Sequence, residues 1–117
     1  MIVFPGEYTA LNEYICIERS NKFSAAKLKE RETGKAWAAS VGKEPVTNYP
    51  VIAVFRWYTK DERTDADDIE FAKKYILDGL VLAGVLKDDS RKYIVGTNNR
   101  CYVDKKNPRV EVEFRKA

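Results

Sequence analysis

Five aspartates in two short runs are the side chains of this sequence best suited to chemistry. The run TDADD contains Asp65, Asp67 and Asp68, and the later run KDDS contains Asp88 and Asp89. Carboxylates so close together repel one another, so an ion or a set of donors must offset their charge. Mg²⁺ binds carboxylate oxygens, keeps several waters and needs only a few protein ligands. We interpret the two runs as one Mg²⁺ site, at which Mn²⁺ could substitute.

The same aspartates also allow a purely structural interpretation. An aspartate at a helix N-cap or in the first turn binds free N–H groups and complements the helix dipole, and Asp88 and Asp89 could form an ordinary polar turn. One cap needs only one aspartate, however, and TDADD supplies three. Asp65 and Asp67 also have the D-x-D spacing that points two side chains of an extended loop in one direction. Spacing alone leaves both interpretations open.

Basic residues flank the acidic runs and extend into the N-terminal half of the chain. A nuclease needs such a mixture, because carboxylates hold the metal while cations neutralise phosphates. The alternative is a solvated surface, on which Lys74 pairs with Asp78 one helical turn later and gains only a few tenths of a kcal/mol. The net charge of +3 does not separate the two. The predicted DNA-contacting residues are Arg19, Lys22, Lys27, Lys29, Arg31, Lys60, Arg63, Arg91 and Lys92.

Histidine is absent from the sequence. Its absence excludes the Ser-His-Asp arrangement, histidine-based zinc sites and metal nucleases that depend on an imidazole base. Hydrolytic chemistry would have to come from carboxylates, lysines and a hard metal ion.

Length and composition predict one domain over residues 1–117. A chain of 117 residues with 44% hydrophobic and 33% charged residues suits a single core. Cys16 and Cys101 lie in apolar runs and are predicted to be buried and reduced. No apolar run is long enough for a signal peptide or a membrane span, so we predict a cytoplasmic protein without membrane contact.

The elements that position the acidic runs begin with a strand and two helices. Ile2–Phe4 is predicted as the first strand, and a short and a long helix follow, with a break at Ser20 and Asn21 and an end at Gly42. Val51–Tyr58 is apolar at nearly every position, which predicts a central strand buried on both faces.

The acidic loop is predicted to lead into a second long helix. On one continuous helix with about 100° per residue, Asp67, Lys74 and Asp78 fall within an arc of roughly 40° opposite the buried face. A second apolar stripe on this helix, interpreted as a partner contact, consists of Phe71, Tyr75 and Leu82.

Two further segments complete the predicted sheet. Residues 92–95 and 100–104 are expected to form a hairpin around GTNN, because glycine and asparagine tolerate the positive φ of tight turns. Arg109–Arg115 alternates apolar and charged residues as a half-exposed strand does. The order β-α-β-α-β-β predicts an α+β fold with a mixed sheet of about four strands and two main helices.

Several ordered motifs resemble those of RusA-type Holliday junction resolvases, small phage and prophage endonucleases that cleave four-way DNA junctions. They are D-A-D-D at 65–68, K-Y-I-L-D-G-L at 74–80, A-G-V-L at 83–86 and D-D-S at 88–90. The segments LNEYI, AAKLK and DKKNPRVEVE are similar to the Gram-positive prophage branch of that family. The resemblance covers most of the chain.

The resemblance implies a site, an activity and an assembly. Asp65 and Asp67 match the paired aspartates of the family's D-x-D-N motif, Asp89 matches the later catalytic aspartate, and Lys74 matches the essential lysine. It further implies Mg²⁺-dependent hydrolysis of branched double-stranded DNA by a homodimer, whose symmetry suits a four-way junction. One departure is Asp68, which stands where the family usually has asparagine, so metal affinity or activity could differ.

Two other classes of function are compatible with the same residues. A DNA-binding protein of the same fold with weak or no catalysis would bind junctions without nicking them, and Asp68 is the sequence feature in its favour. A structural α+β domain with well-capped helices would make the coincidence of Asp65, Asp67, Lys74 and Asp89 accidental. Metal-dependent cleavage separates the first interpretation from both of these.

Overall fold

Four strands and four helices follow one another in the computed structural model, which describes all residues from 1 to 117. The elements are β1 (Ile2–Pro5), α1 (Leu11–Ser20), α2 (Lys22–Ser40), β2 (Val51–Thr59), α3 (Ala66–Glu70), α4 (Lys73–Leu82), β3 (Ile94–Val103) and β4 (Arg109–Lys116). The strands form one mixed sheet in the order β1-β4-β2-β3, in which only β2 and β3 are parallel. The predicted α+β class and four-stranded mixed sheet are confirmed. None of the helices combines the length and apolar character that crossing a membrane requires.

The central strand β2 has one fully buried face. Val51, Ala53, Phe55 and Trp57 alternate along it, each at most 2% exposed, and join the main hydrophobic core. Val54 points to the other face and lies outside that core, while its neighbours there are half-buried. The prediction of burial on both faces is therefore right for one face, because the main core packs against that face alone.

Helices α2 and α4 pack side by side in the helical layer. Gly79 of α4 lies directly against the backbone of Ala36 and Trp37 in α2. Beyond the helix ends, the Val46 N–H donates to the Val85 carbonyl at 2.8 Å. A residue without a side chain therefore allows the close contact between α2 and α4.

The other face of the sheet carries a chain of ion pairs. Arg56 on β2 donates to Glu111 and Glu113 on β4 at 3.1 and 3.2 Å. Arg109 and Arg115 pair with the same two glutamates at 3.0 and 2.6 Å. Burial alone would raise the pKa of Glu111, but hydrogen bonds from Arg56 and Arg109 outweigh it and hold that pKa below its usual range. These carboxylates are therefore stabilised as anions within the sheet.

The predicted hairpin around GTNN is wrong. Residues 94–103 form the single strand β3, which pairs in parallel with β2 from Val51 to Thr59. The turn-forming side chains are satisfied within the strand, since Asn99 accepts from Trp57 Nε1 at 3.0 Å and donates to Thr97 at 3.3 Å. Pairing along the whole central strand outweighs the local turn preference of Gly96 and the asparagines.

The second long helix is also interrupted, which changes two predictions. Helix α3 ends at Glu70 and α4 begins at Lys73, so Asp67 does not share one helix with Lys74 and Asp78, and the predicted 40° arc does not exist.

The apolar stripe predicted as a partner contact does not form an exposed surface. Tyr75 is 3% exposed, and Phe71 packs against Tyr14 and Tyr75 beneath α1, so Leu82 is its only exposed member.

Both cysteines are exposed, contrary to the prediction of burial. Cys16 lies on α1, where Tyr14 is the only buried residue, and Cys101 lies on the edge strand β3. The helix and the strand that carry them bury few of their residues. Apolar neighbours in the sequence therefore do not place these thiols in the core. Both thiols are free.

Candidate metal centre

Three carboxylates converge in the connection that follows the central strand. Asp65 precedes α3, and Asp67 and Asp68 lie in its first turn. One carboxylate oxygen from each of the three lies within 4.8 Å of the others, with Asp65 and Asp67 exposed and Asp68 half-buried. The D-x-D pair and the adjacent aspartate therefore present three oxygens to one small volume.

Helix capping does not account for this group. Asp65 occupies the N-cap position of α3, yet its side chain makes no capping hydrogen bond. The Asp67 Oδ1 accepts only from the neighbouring Asp68 N–H, at 3.1 Å. A single cap would need one of these side chains to accept from the second or third N–H of the helix. Side-chain capping of α3 therefore does not account for the presence of three aspartates in TDADD.

The negative charge of this group has no basic partner. No lysine or arginine nitrogen lies within 4.0 Å of Asp65, Asp67 or Asp68, whereas the chain forms ten such ion pairs elsewhere. The one long-range donor is the Asn12 amide, which binds Asp68 Oδ2 at 2.8 Å. Three carboxylates without a basic partner, two of them exposed, suit a hard divalent cation such as Mg²⁺, which binds carboxylate oxygens and keeps several waters.

Asp88 and Asp89 belong to a second group centred on Lys74. The Lys74 ammonium binds Asp89 Oδ2 at 2.6 Å and Asp78 Oδ1 at 3.0 Å. Asp88 Oδ1 accepts from the Asp89 N–H at 2.9 Å, which holds the local turn. The structure therefore brings Asp65, Asp67 and Asp68 together, and it brings Lys74 together with Asp89, but Asp89 is not a member of the three-carboxylate group.

The ion pair shifts the pKa of both Lys74 and Asp89. The hydrogen bond from Lys74 lowers the pKa of Asp89 below its usual range, and the hydrogen bonds to Asp89 and then Asp78 raise the pKa of Lys74. Both groups therefore stay charged throughout the neutral range. The contribution of Asp89 to stability is present above its unfolded pKa and is lost as the pH falls through its lowered folded pKa.

A carboxyl-detected NMR titration tests this pairing. We expect the Asp89 midpoint to lie below that of an ordinary aspartate in the wild-type protein, because protonation must break the bond to Lys74. In Lys74→Gln the Asp89 midpoint should move upward, while Lys105→Gln, which removes an exposed lysine that does not pair with Asp89, should leave it in place. An Asp89 midpoint unaffected by the loss of Lys74 would contradict the pairing.

The nine predicted DNA-contacting residues are all exposed. Lys22 and Lys29 line one groove between α1 and α2, and Lys27 and Arg31 line a second. Arg63 pairs weakly with Asp61 at 3.9 Å. Arg31 also pairs with Glu32, at 3.7 Å. The exposure of all nine side chains leaves them accessible to phosphate groups.

Sequence reasoning missed Asn12, the donor that orients Asp68. It lies 56 residues away from Asp68 on α1, and no local motif signals such a contact.

Comparison of the chain with protein-family models, with curated proteins and with solved structures finds no match in any of the three.

Proposed function

We propose that this chain is a Mg²⁺-dependent, structure-specific endonuclease of the RusA type, which resolves four-way DNA junctions and related branched DNA. The observation that carries the proposal is the group of Asp65, Asp67 and Asp68, whose oxygens converge without a basic partner. The ordered motifs at 65–68, 74–80, 83–86 and 88–90 support the same class through their resemblance to that family. The absence of histidine supports a mechanism based on carboxylates and a metal.

The proposed reaction is hydrolysis of one phosphodiester bond in each of two strands. A water molecule loses a proton to solvent as its oxygen forms a bond to phosphorus, the bond from phosphorus to one sugar oxygen breaks, and the leaving oxygen takes up a proton from solvent. Mg²⁺, when bound, would lower the pKa of a water and offset charge on the phosphate. Asp65 and Asp67 would hold the ion, and Asp68, oriented by Asn12, would bind it directly or through a water.

Lys74 has a separate role in this proposal. Its ammonium is held by Asp78 and Asp89 and would offset the negative charge that develops on the phosphate or the leaving oxygen. Asp89 would then act by keeping Lys74 charged and in place, and Asp88 by fixing the turn that presents Asp89. Each of the three aspartates assigned by the resemblance, and Lys74 with them, thus has a task in the proposed reaction.

Junction recognition would rest on shape and phosphate contacts. Cations on α1, α2 and the loops near the acids would position the duplex arms without reading base sequence. A homodimer would present two such sites related by a two-fold axis, which matches the near two-fold symmetry of a four-way junction. Paired nicks at symmetric positions are the product expected of that arrangement.

Cleavage of a labelled four-way junction, compared with linear duplex of the same sequence, tests the proposal. With Mg²⁺ we expect paired nicks on opposing strands of the junction, little cutting of the duplex, and no cutting in EDTA. Tight, salt-sensitive junction binding without nicking in either Mg²⁺ or Mn²⁺ would instead identify a junction-binding protein without catalysis. Neither binding nor nicking would leave only a structural role.

A further inference from the structure

The two edges of the sheet differ in their protection against pairing with another strand. β1 forms one edge with only four residues and ends at Pro5, which has no N–H to offer a further strand. β3 forms the other edge with ten residues and contains neither proline nor lysine. Short length, proline and charge are the devices that usually prevent pairing at a sheet edge. Of these, β3 has only the single charge of Arg100.

The backbone of β3 is open along this edge. Its backbone hydrogen bonds go to β2, and none from residues 95–103 reaches any other element. An edge strand therefore presents a row of unpaired N–H and C=O groups on its outer side. The register with β2 is regular from Gly96 to Val103, so this row is regular as well. An extended chain is the kind of partner that fits such an edge.

The sequence of β3 is complementary to itself in one antiparallel register. When two copies of β3 pair with Asn99 facing Asn99, each residue before that position faces the residue equally far after it in the other copy. Arg100 then faces Asn98, whose side-chain oxygen can accept from the guanidinium. Tyr102 faces Gly96, which has no side chain and leaves room for the ring of this exposed tyrosine. Every side chain in the centre of the strand therefore has a compatible neighbour.

This register also uses the whole free edge. Val95 and Val103 are exposed, lie equally far from Asn99 and would face each other as an apolar pair at both ends. A register centred on Arg100 would instead place two like charges directly opposite each other, which is unfavourable. A register centred on Asn98 would place Val103 opposite Tyr93, which lies outside the strand. The pairing centred on Asn99 is therefore the favoured one.

We infer that β3 is the interface strand of a homodimer, in which two copies pair antiparallel across a two-fold axis at Asn99. The two four-stranded sheets would join into one continuous sheet. Side chains that face each other across antiparallel strands lie on the same face, so the helices of both copies would cover one face of the joined sheet. The other face would carry the ion pairs of both copies.

This arrangement would place both candidate metal centres on the same side of the joined sheet. Ile69 of α3 and Cys101 of β3 line one cleft, so the connection that carries the three aspartates lies beside the C-terminal half of β3. Antiparallel pairing would put the two groups at opposite ends of the paired strands, related by the two-fold axis. Symmetric nicking of one junction needs such a pair of sites. This step rests on the proposed function, whereas the pairing of β3 does not.

Substitutions at the exposed Asn98 test the register, because two changes at one position should act in opposite directions. Each Asn98 faces Arg100 of the other copy, so the pair occurs twice in the dimer. Asn98→Asp should tighten the dimer and Asn98→Arg should weaken it, each by about 2- to 30-fold in dissociation constant, as two cross-strand charge pairs would. Sedimentation equilibrium of the full chain over a range of concentrations measures both. Asn107→Asp and Asn107→Arg, at an exposed residue between β3 and β4, should change nothing.

A disulfide across the interface tests the same register by a second measurement. Thr97 faces Cys101 of the other copy, and Cys101 is a free, exposed thiol. Directly opposite residues of antiparallel strands have Cα separations that a disulfide can span. Thr97→Cys combined with Cys16→Ser should therefore give a covalent dimer on mild oxidation. Cys16→Ser alone, and the triple variant that adds Cys101→Ser to Thr97→Cys, should stay uncross-linked.

The outcomes separate this inference from the proposed function. A monomer at every concentration, an equal effect of Asn98→Asp and Asn98→Arg, or a dimer that Thr97→Cys does not cross-link to Cys101 would overturn the β3 interface. Junction nicking by a protein with any of these results would overturn the β3 interface alone. A dimer that responds to both tests as expected but never nicks DNA would overturn the nuclease proposal alone.

Discussion

Asp67→Asn is expected to abolish junction cleavage while junction binding is kept or strengthened. Asp67 is one of three carboxylates that converge within 4.8 Å without a basic partner, so the substitution removes a metal ligand and one negative charge from the same place. A catalytic metal contributes several kcal/mol to stabilisation of the transition state, and each 1.36 kcal/mol is a factor of ten in rate. Cleavage at saturating DNA should therefore fall by at least about 100-fold, while repulsion of the phosphates decreases.

The measurement pairs single-turnover cleavage with direct titration of Mn²⁺, followed by electron paramagnetic resonance. The variant should lose Mn²⁺ affinity as well as activity. Glu30→Gln is the charge-matched control, because Glu30 is exposed on α2 and makes no ion pair, and it should cut and bind metal as the wild type does. Cleavage by Asp67→Asn at the wild-type rate would refute the assignment of Asp67, whatever its effect on binding.

Asp68 is the one carboxylate of this group with a long-range donor, because the Asn12 amide donates to it at 2.8 Å. The RusA-type motif that the sequence resembles usually has asparagine at this position. The hydrogen bond from Asn12 does not neutralise the Asp68 carboxylate, so three aspartates form a more strongly anionic group than two aspartates and an asparagine would.

The central strand was predictable because its residues strongly favour a buried β-strand. Val51–Tyr58 is almost wholly apolar and rich in β-branched and aromatic residues, and the structure places it at the centre of the sheet. β3 was not predictable in the same way. Gly96, Asn98 and Asn99 favour a turn locally, and only the partner strand β2, far away in sequence, provides the pairing that keeps them extended.

The candidate site shows the same division between local and long-range information. The cluster at 65–68 was visible because its members are neighbours in sequence, and neighbours on one turn remain neighbours in space. The break at Phe71 and Ala72 was not visible, because apolar residues continue across it at helical spacing. Lys74 lies beyond that break and binds Asp89, so the predicted single site with five aspartates becomes two groups.

Gly79→Ala is expected to destabilise the fold through the contact between α2 and α4. A Cβ at position 79 would lie 2.5 Å from the Ala36 Cβ, 2.7 Å from the Trp37 nitrogen and 2.8 Å from the Ala36 carbonyl carbon. Two of these three atoms are backbone, so no side-chain rotation relieves the overlap and one helix must move. Overpacking of this kind costs about 1–3 kcal/mol or more, which exceeds the gain of about 1 kcal/mol from replacing glycine in a helix.

Gly34→Ala is the matched control for thermal and chemical unfolding. Gly34 lies in the middle of α2, and a Cβ there meets nothing within 4 Å, so alanine should stabilise the protein by about 0.5–1 kcal/mol. The two glycine-to-alanine variants should therefore shift the unfolding midpoint in opposite directions. Equal stabilisation by both would mean that α2 and α4 are not in close contact at Gly79.

The position of Gly79 ties this contact to the proposed chemistry. Its neighbour in sequence is Asp78, which together with Asp89 holds the Lys74 ammonium. A displacement of α4 away from α2 would therefore move Asp78 and Lys74 relative to Asp89, and cleavage by folded Gly79→Ala should fall below that of Gly34→Ala. Mn²⁺ affinity should change little, because Asp65, Asp67 and Asp68 lie on the other side of the break between α3 and α4. A loss of cleavage without a loss of metal binding would distinguish the role of Lys74 from that of the three carboxylates.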